Sequence, residues 1–345
     1  MRVLEINDYT EFARDSAYEG KHEVRRFLVG RRESSLDKRR VERGELLGSF
    51  AEVKKFDPEV LVCPAFGRCY GQPKWKRPFK YSLESLAAKR IGKLRRQLEI
   101  PLGIIDTSDD LMVHPVNREL LRAGDLYFKR ELALDPFVSL GAFDHGKFRR
   151  PERRRRLENS PLRWLEKLRP FPLGLDGELP SVSEKPFADR KWDVFYAGAG
   201  ELRPLREEGE RLLVRLAELG VRVFHSQERL SAEEYFKAMA DSRVVFSPPG
   251  FGWDCHRHYE AALHGCVVLT SFPSICRRVV FEDKVNCLYY DPSHLDLASA
   301  VKRAMEQSNL EAIAENGRML VQARLTHAAI FSETIELLQK ESLLS

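Results

Sequence analysis

Apolar and polar positions along the chain come in short blocks that switch between a period near two and a period near 3.6. In the first half, RVLEI, the run from Val60 to Phe66, PLGIID and DLYFKREL have the length and composition of strands. YSLESLAAKRIGKLRRQLEI lies between two of them and places Leu83, Leu86, Ala87, Ile91 and Leu94 on one helical face. The charged stretch from Phe27 toward Val60 reads as helical. The second half is more regular. KWDVFYAG, VRVFHS, RVVFSPPG, CVVLTS and NCLYYDP read as strands. RPLREEGERLLVRLAELG reads as an amphipathic helix stopped by Gly220, and SAEEYFKAMADS as a helix opened by a Ser231/Glu234 capping box. DCHRHYEAALHG reads as a helix capped by Asp254 and ended by Gly265. LDLASAVKRAMEQ, NLEAIAENGRMLVQARL and THAAIFSETIELLQKE follow as helices.

Strand and helix alternate through both halves, which predicts an α/β protein with parallel sheets. Residues 146–191 hold six prolines and many charges and read as the connection between halves, with a short helix near PLRWLEKL. The expected domains are 1–170 and 171–325, followed by a separate helix over 326–345. In a doubly wound sheet, ligands bind outside the carboxyl ends of the strands.

A chain of 345 residues is long enough for two cores, and 43% hydrophobic with 32% charged residues is the balance of a globular protein. No apolar run approaches the ~20 residues that span a bilayer. The amino end lacks the pattern of a secretory signal. The six cysteines form no C-x-x-C pair, which argues against a zinc knuckle and for reduced thiols in a cytoplasmic setting. Net charge is +5, and KFRRPERRRR (Lys147 to Arg156) is the densest basic cluster. It reads either as a solvated linker or as a peripheral contact with an anionic inner membrane face. Phe148 is the only aromatic among these arginines, so nucleic acid is not an expected partner.

The densest chemistry lies in SPPGFGWDCHRHYEAALHGCVVLTS, from Ser247 to Ser271. Gly250 and Gly252 permit a tight turn and close approach of a ligand to backbone. The following helix offers free N–H groups and a dipole suited to phosphate. Arg257 in its first turn adds bidentate pairing to phosphate oxygens. Glu260 is one turn, about 5 Å, further along, where a carboxylate suits the hydroxyls of a ribose. The plainer alternatives are an ordinary helix cap and a surface ion pair. His256 is a candidate donor to a phosphate or sugar hydroxyl. His256, Glu260 and His264 form a stripe at spacing four, but it spans about 12 Å, too far for one metal ion to touch all three.

These residues resemble the nucleotide-binding half of glycosyltransferases with the two-Rossmann GT-B fold, of the exostosin-like and bacterial family-1 types. The resemblance rests on Ser247-Pro248, Gly250 to Gly252, Arg257 to Ala261 and Gly265-Cys266-Val267, and covers about Asp193 to Asp291. It implies two Rossmann-like domains facing a cleft, with the acceptor on the first and a nucleotide-sugar donor on the second. It also implies a last helix that crosses back to the first domain. Arg257 would then meet the donor diphosphate and Glu260 the ribose. No cofactor and no obligatory divalent metal are expected. Many retaining enzymes of this fold carry a second glutamate eight positions before the ribose-binding one. Gly252 stands there, so the expectation is an inverting transferase, unless Asp254 replaces that acid.

Further candidates lie at other strand ends. Gly198, Gly200 and Arg203 follow the first strand of the second half and are expected at the diphosphate. His225 to Arg229 are expected near the base. Asp106, Asp109 and Asp110 follow a buried strand, and Asp109 or Asp110 is the expected general base for the acceptor hydroxyl. Lys129 and Arg130 end another strand and are expected to meet the donor phosphates. Tyr70, Trp75 and Phe79 sit among basic residues, a composition suited to an acceptor groove. The expected function is transfer of a sugar to a hydroxyl of a glycan, a lipid-linked acceptor or a protein. A nucleotide-sugar epimerase and a non-catalytic nucleotide-binding module are the alternatives.

Overall fold

Leu102–Asp106 and Val267–Ser271 bury every residue they contain, a pattern that a parallel strand covered on both faces requires. The structure, a computed structural model, describes residues 1–7, 20–29, 46–66, 77–140, 164–175, 185–198, 204–226, 228–250, 252–291 and 296–342. The chain divides into two compact units. One holds Met1–Phe171, Ile275–Arg278 and His327–Ser345; the other holds Pro172–Ser274 and Val279–Thr326.

The first unit contains β1 (Arg2–Ile6), β2 (Glu23–Phe27), β3 (Leu46–Leu47), α1 (Phe50–Phe56), β4 (Val60–Pro64) and α2 (Arg77–Leu98). These are followed by β5 (Leu102–Asp106), α3 (Arg118–Ala123), β6 (Leu126–Lys129), α4 (Pro136–Leu140) and β7 (Leu168–Pro170). Its seven strands run parallel in the order β3-β2-β1-β4-β5-β6-β7. Leu4, Leu61, Ile91, Leu102 and Leu120 are part of its core.

Three features depart from the sequence expectation. β2 reads EVRRF and buries Arg26 in alternation with Val24, so its inward face carries one apolar residue where a strand signal needs several. β7 is three residues long and includes an arginine and a proline. In α2 the buried face is made by Ala87, Ala88, Ile91 and Leu94, whereas Leu83 and Leu86 are exposed. The cluster from Lys147 to Arg156 lies outside the described residues.

The second unit contains β8 (Trp192–Ala197), α5 (Pro204–Glu218), β9 (Val223–Ser226), α6 (Ala232–Ala240), β10 (Ser242–Phe246) and α7 (His256–Leu263). It continues with β11 (Val267–Ser271), β12 (Leu288–Tyr290), α8 (Leu297–Glu306) and α9 (Leu310–Arg324). Its five parallel strands are ordered β12-β11-β10-β8-β9. β8 pairs with β9 on one side and β10 on the other, so the winding reverses between β8 and β10. That reversal opens a crevice at the carboxyl ends of these two strands. α6 opens with the predicted capping box, Ser231 and Glu234 each bonding the other's backbone N–H.

The last helix, α10 (His327–Ser342), belongs to the first unit. Gly103 on β5 admits it closely, because a Cβ there would lie 3.0 Å from a methyl of Leu338. His22 touches the same helix through Ser332, at 3.2 Å, and through the ring of Phe331. The short segment Ile275–Arg278 joins this unit as well: Cys276 N–H donates to the Leu132 carbonyl (2.7 Å) and Arg278 to Thr334 (3.1 Å).

Gly209 sets how closely α5 lies on β10. A Cβ there would stand 2.5 Å from the Phe246 ring. On an exposed helix, replacing glycine with alanine gains up to about 1 kcal/mol. Here the clash reverses that sign. Gly209→Ala is expected to lower stability by about 1–3 kcal/mol, read as a lower urea midpoint. An unchanged or raised midpoint would contradict this packing.

Candidate functional site

The crevice of the second unit is built from strand ends that cannot continue. β10 runs into Pro248 and Pro249, which lack the N–H a ladder needs. Gly250 N–H then donates to the Gly252 carbonyl at 2.8 Å and closes a tight turn. The chain re-enters helix at α7, with Cys255 in the cap position. Arg257 therefore stands in the first turn and reaches across to β8. Its Nη2 donates to the Ala197 carbonyl, and its Nε lies 3.5 Å from the Tyr235 hydroxyl. The guanidinium rests 5.3 Å above the Tyr196 ring. Gly198 makes room for it, since a Cβ there would lie 3.0 Å from Nη2. The remaining nitrogen, Nη1, is buried and has no hydrogen-bond partner among the described residues. Burying such a donor unmet is costly.

A second guanidinium approaches from α5. Arg206 lies one turn before Gly209, on the face that packs against the sheet. Its Nε donates to the Pro249 carbonyl at 3.2 Å, and a Cβ on Gly250 would lie 2.8 Å from its Nη2. Tyr196 is fully buried, yet its hydroxyl has no partner among the described residues. Burial raises the Tyr196 pKa and the charges of Arg257 and Arg206 act against it, leaving a neutral phenol with a proton to donate. Tyr235, from α6, ties the arrangement together. Its hydroxyl donates to Glu260 Oε2 at 3.0 Å and faces Arg257 Nε. Burial drives its pKa strongly upward, so it too stays protonated. Sequence reading missed Arg206, Tyr196 and Tyr235.

The structure thus brings Gly198, Gly250, Arg257 and Glu260 together. Gly252 closes the neighbouring turn, and His256 is exposed at the start of α7. Gly200 and Arg203 lie outside the described residues. Asp254 is neither helix cap nor substitute acid. It is 3% exposed, and its carboxylate accepts from the Leu173 N–H at 2.7 Å and from the Tyr259 hydroxyl. It is turned toward the segment that enters the unit and away from the helix it precedes. His225 bonds Glu210 at 2.9 Å and stacks on Tyr196. The histidine stripe is dispersed: His256 is exposed, and His264 is buried against Phe236. Among the described residues, no group of three or more His, Cys, Asp or Glu is placed to hold a metal ion.

In the first unit the expected cations are already matched. Lys129 is fully buried and bonds Asp106 and Ser108, each at 3.3 Å. It is not a strand-end cation open to a donor phosphate. Asp106 and Lys129 are register partners on adjacent strands, so acid and base neutralise each other at once. Asp106 also accepts from the Tyr127 hydroxyl at 2.8 Å. Arg130 pairs with Asp109 and donates to the Thr107 carbonyl. Asp110 is half-buried on the same loop. Tyr70, Trp75 and the Phe79 side chain lie outside the described residues.

Residues 202–336 match the family described as glycosyl transferase-like. The sequence matches no curated protein. Several solved glycosyltransferases share the fold along nearly the whole chain. The apo lipopolysaccharide outer core galactosyltransferase WaaB gives a TM-score of 0.54 at 11% identity over 97% of this chain and 99% of that one. HepE of Anabaena, in complex with UDP, gives 0.52 at 14% identity over 99% and 100%. Sucrose-phosphate synthase of Thermosynechococcus elongatus gives 0.50 at 12% identity over 100% of both chains. Two parallel Rossmann-like units with this likeness define the GT-B fold.

Asp254 has a structural task that a stability measurement separates from chemistry. Asp254→Ala leaves the partly buried Leu173 N–H without its charged acceptor and is expected to cost about 1.5–3 kcal/mol. The urea midpoint should fall accordingly, and fall less in Asp254→Asn. Undiminished stability in both variants would return Asp254 to the list of candidate acids.

Proposed function

We propose that the chain transfers a sugar from a nucleotide-sugar donor to a hydroxyl acceptor, and that the donor diphosphate occupies the crevice between β8 and β10. The observation that carries this reading is the buried, unpartnered Nη1 of Arg257 in the first turn of α7. Arg206 and the protonated Tyr196 hydroxyl converge on the same glycine-lined space. The same fold holds UDP in HepE, which supports a nucleoside diphosphate as the leaving group.

Breaking the bond between sugar and phosphate places new negative charge on the outer phosphate oxygens. Two guanidiniums, a phenol and the positive end of α7 are fixed in advance where that charge develops. They supply the stabilisation that a divalent cation would give, so none is required. Glu260 holds one oxygen against Tyr235 and presents the other to the ribose hydroxyls. The acceptor hydroxyl loses its proton to Asp109 or Asp110 of the first unit, and Gly252 in place of a second glutamate supports an inverting displacement. The acceptor is a glycan, a lipid-linked sugar or a protein, with Lys147 to Arg156 available for contact with an anionic membrane face.

Arg257→Ala is expected to lower turnover by ~10²-fold or more while nucleotide sugar still binds detectably. Turnover within twofold of the native enzyme would end the assignment. A panel of nucleotide sugars measured by thermal shift identifies the donor, since a ligand at 100 times its Kd stabilises by ~2.7 kcal/mol. Glu260→Ala should weaken nucleoside diphosphate binding in calorimetry with the fold intact. An unchanged affinity would remove Glu260 from the ribose site.

A further inference from the structure

Beside Arg257, three groups that the transfer reaction does not use meet in a triangle. Ser247 follows β10, Cys255 caps α7, and His258 lies in its first turn. His258 Nε2 is 2.9 Å from the Trp253 carbonyl. A carbonyl only accepts, so Nε2 carries a hydrogen and donates it. Nδ1 of the neutral ring is then an acceptor, and the Ser247 hydroxyl stands 2.8 Å from it. The Cys255 sulfur lies 3.5 Å from the Ser247 oxygen and 3.8 Å from His258 Nδ1, so the thiol touches both members of that pair. Ser247 and His258 are fully buried, and Cys255 is the one member of the three with exposed surface.

We propose that Cys255 is a reactive thiol, deprotonated by His258 with Ser247 alongside, and open to covalent modification by small soft electrophiles. The thiol proton passes to Nδ1 across the 3.8 Å contact or by way of the Ser247 hydroxyl, giving a thiolate and an imidazolium. With an α-halo amide, the sulfur lone pair forms the S–C bond, the C–I bond breaks, and iodide leaves with its electron pair. The imidazolium then returns its proton to solvent.

The surroundings favour the charge-separated pair. Burial pushes the thiol up, but the charges on His258 and Arg257 and the contact with Ser247 outweigh it and bring Cys255 to about 6. Burial lowers His258 as well, and Cys255 and Asp254 restore it above its ordinary value. The amino end of α7 adds to the same preference. Cys276 supplies an internal contrast, since it is half-buried like Cys255 and burial raises its thiol. An adduct on Cys255 would stand next to Arg257 and block the diphosphate, a consequence that rests on the function proposed above.

The test is alkylation of the native full-length chain by iodoacetamide between pH 5 and 9, with each cysteine quantified by peptide mass spectrometry. Cys255 should label with a midpoint near pH 6 while Cys276 is still rising at pH 9. Allowing for the lower nucleophilicity of a low-pKa thiolate, Cys255 should lead by at least about fourfold at pH 7 and about twentyfold at pH 6. His258→Asn should move the Cys255 midpoint up toward the ordinary range near ~8.5, and Ser247→Ala should move it up by less, with Cys276 labelling unchanged as the check on folding. No adduct on Cys255 without denaturant, or a midpoint above pH 8, overturns the proposal. UDP forms a separate arm. Protection of Cys255 supports both readings. A midpoint near 6 without protection keeps the thiol and counts against the diphosphate site. A failed pH profile with UDP still bound in thermal shift removes the thiol alone.

Discussion

A guanidinium bonded to the last carbonyl of a neighbouring strand is the contact on which the second unit's site depends. Arg257 leaves the first turn of α7, crosses the point where the sheet reverses its winding, and donates to the Ala197 carbonyl at the end of β8. Several local choices follow from that contact. Gly198 lacks a Cβ because one would crowd Nη2. Tyr196 lies flat beneath the charge, and Tyr235 sits where one hydroxyl serves both Arg257 and Glu260. The helix must also begin where it does: a start one residue later would turn Arg257 by about 100° around the axis and away from β8.

The two units manage charge in opposite ways, and topology explains the difference. In the first unit the acids after β5 and the bases after β6 sit on adjacent, register-paired strands. Asp106 meets Lys129 and Asp109 meets Arg130. At the reversal in the second unit, the connections leaving β8 and β10 diverge, so the cations there face backbone and glycine. Arg206 and Arg257 are held by carbonyls, which orient a guanidinium without cancelling its charge. A buried donor without a partner costs about 1–3 kcal/mol, a cost that persists only where another gain offsets it.

The second unit was legible in the sequence because its signals are local. Alternating periods, the Ser231/Glu234 box, Gly220 and Gly265 each fix an element end without help from tertiary structure. Gly198, Gly250, Arg257 and Glu260 could be found because glycines and an arginine cluster around one helix start. Arg206 could not, since six other charged residues share its helix and only the packing of Gly209 on Phe246 reveals which face turns inward. Tyr196 and Tyr235 read as ordinary core aromatics. Their hydroxyls matter only through neighbours on other elements. Asp254 was misjudged for a related reason. An acid before a helix usually caps it, but here its partner is Leu173, 81 positions earlier. β2 was hidden by Arg26, a charge buried where the pattern calls for an apolar residue.

The position of Cys255 joins the two halves of this account. On the function proposed above, its sulfur and the donor diphosphate both draw on the charge of Arg257, the thiolate from the α7 side and the diphosphate at Nη1. Without a diphosphate, a thiolate partly offsets the field of a guanidinium whose Nη1 has no partner among the described residues. An incoming diphosphate competes for that field, and each favours the other's absence. A neutral thiol beside a bound anion costs nothing electrostatically, whereas a thiolate there would be repelled. Protonation of Cys255 through Ser247 and His258 therefore lets one short segment accommodate either occupancy without moving backbone. The same segment supplies the helix start, the anion-facing arginine and the proton relay, because all three need a strand that stops abruptly and a helix that begins a few residues later.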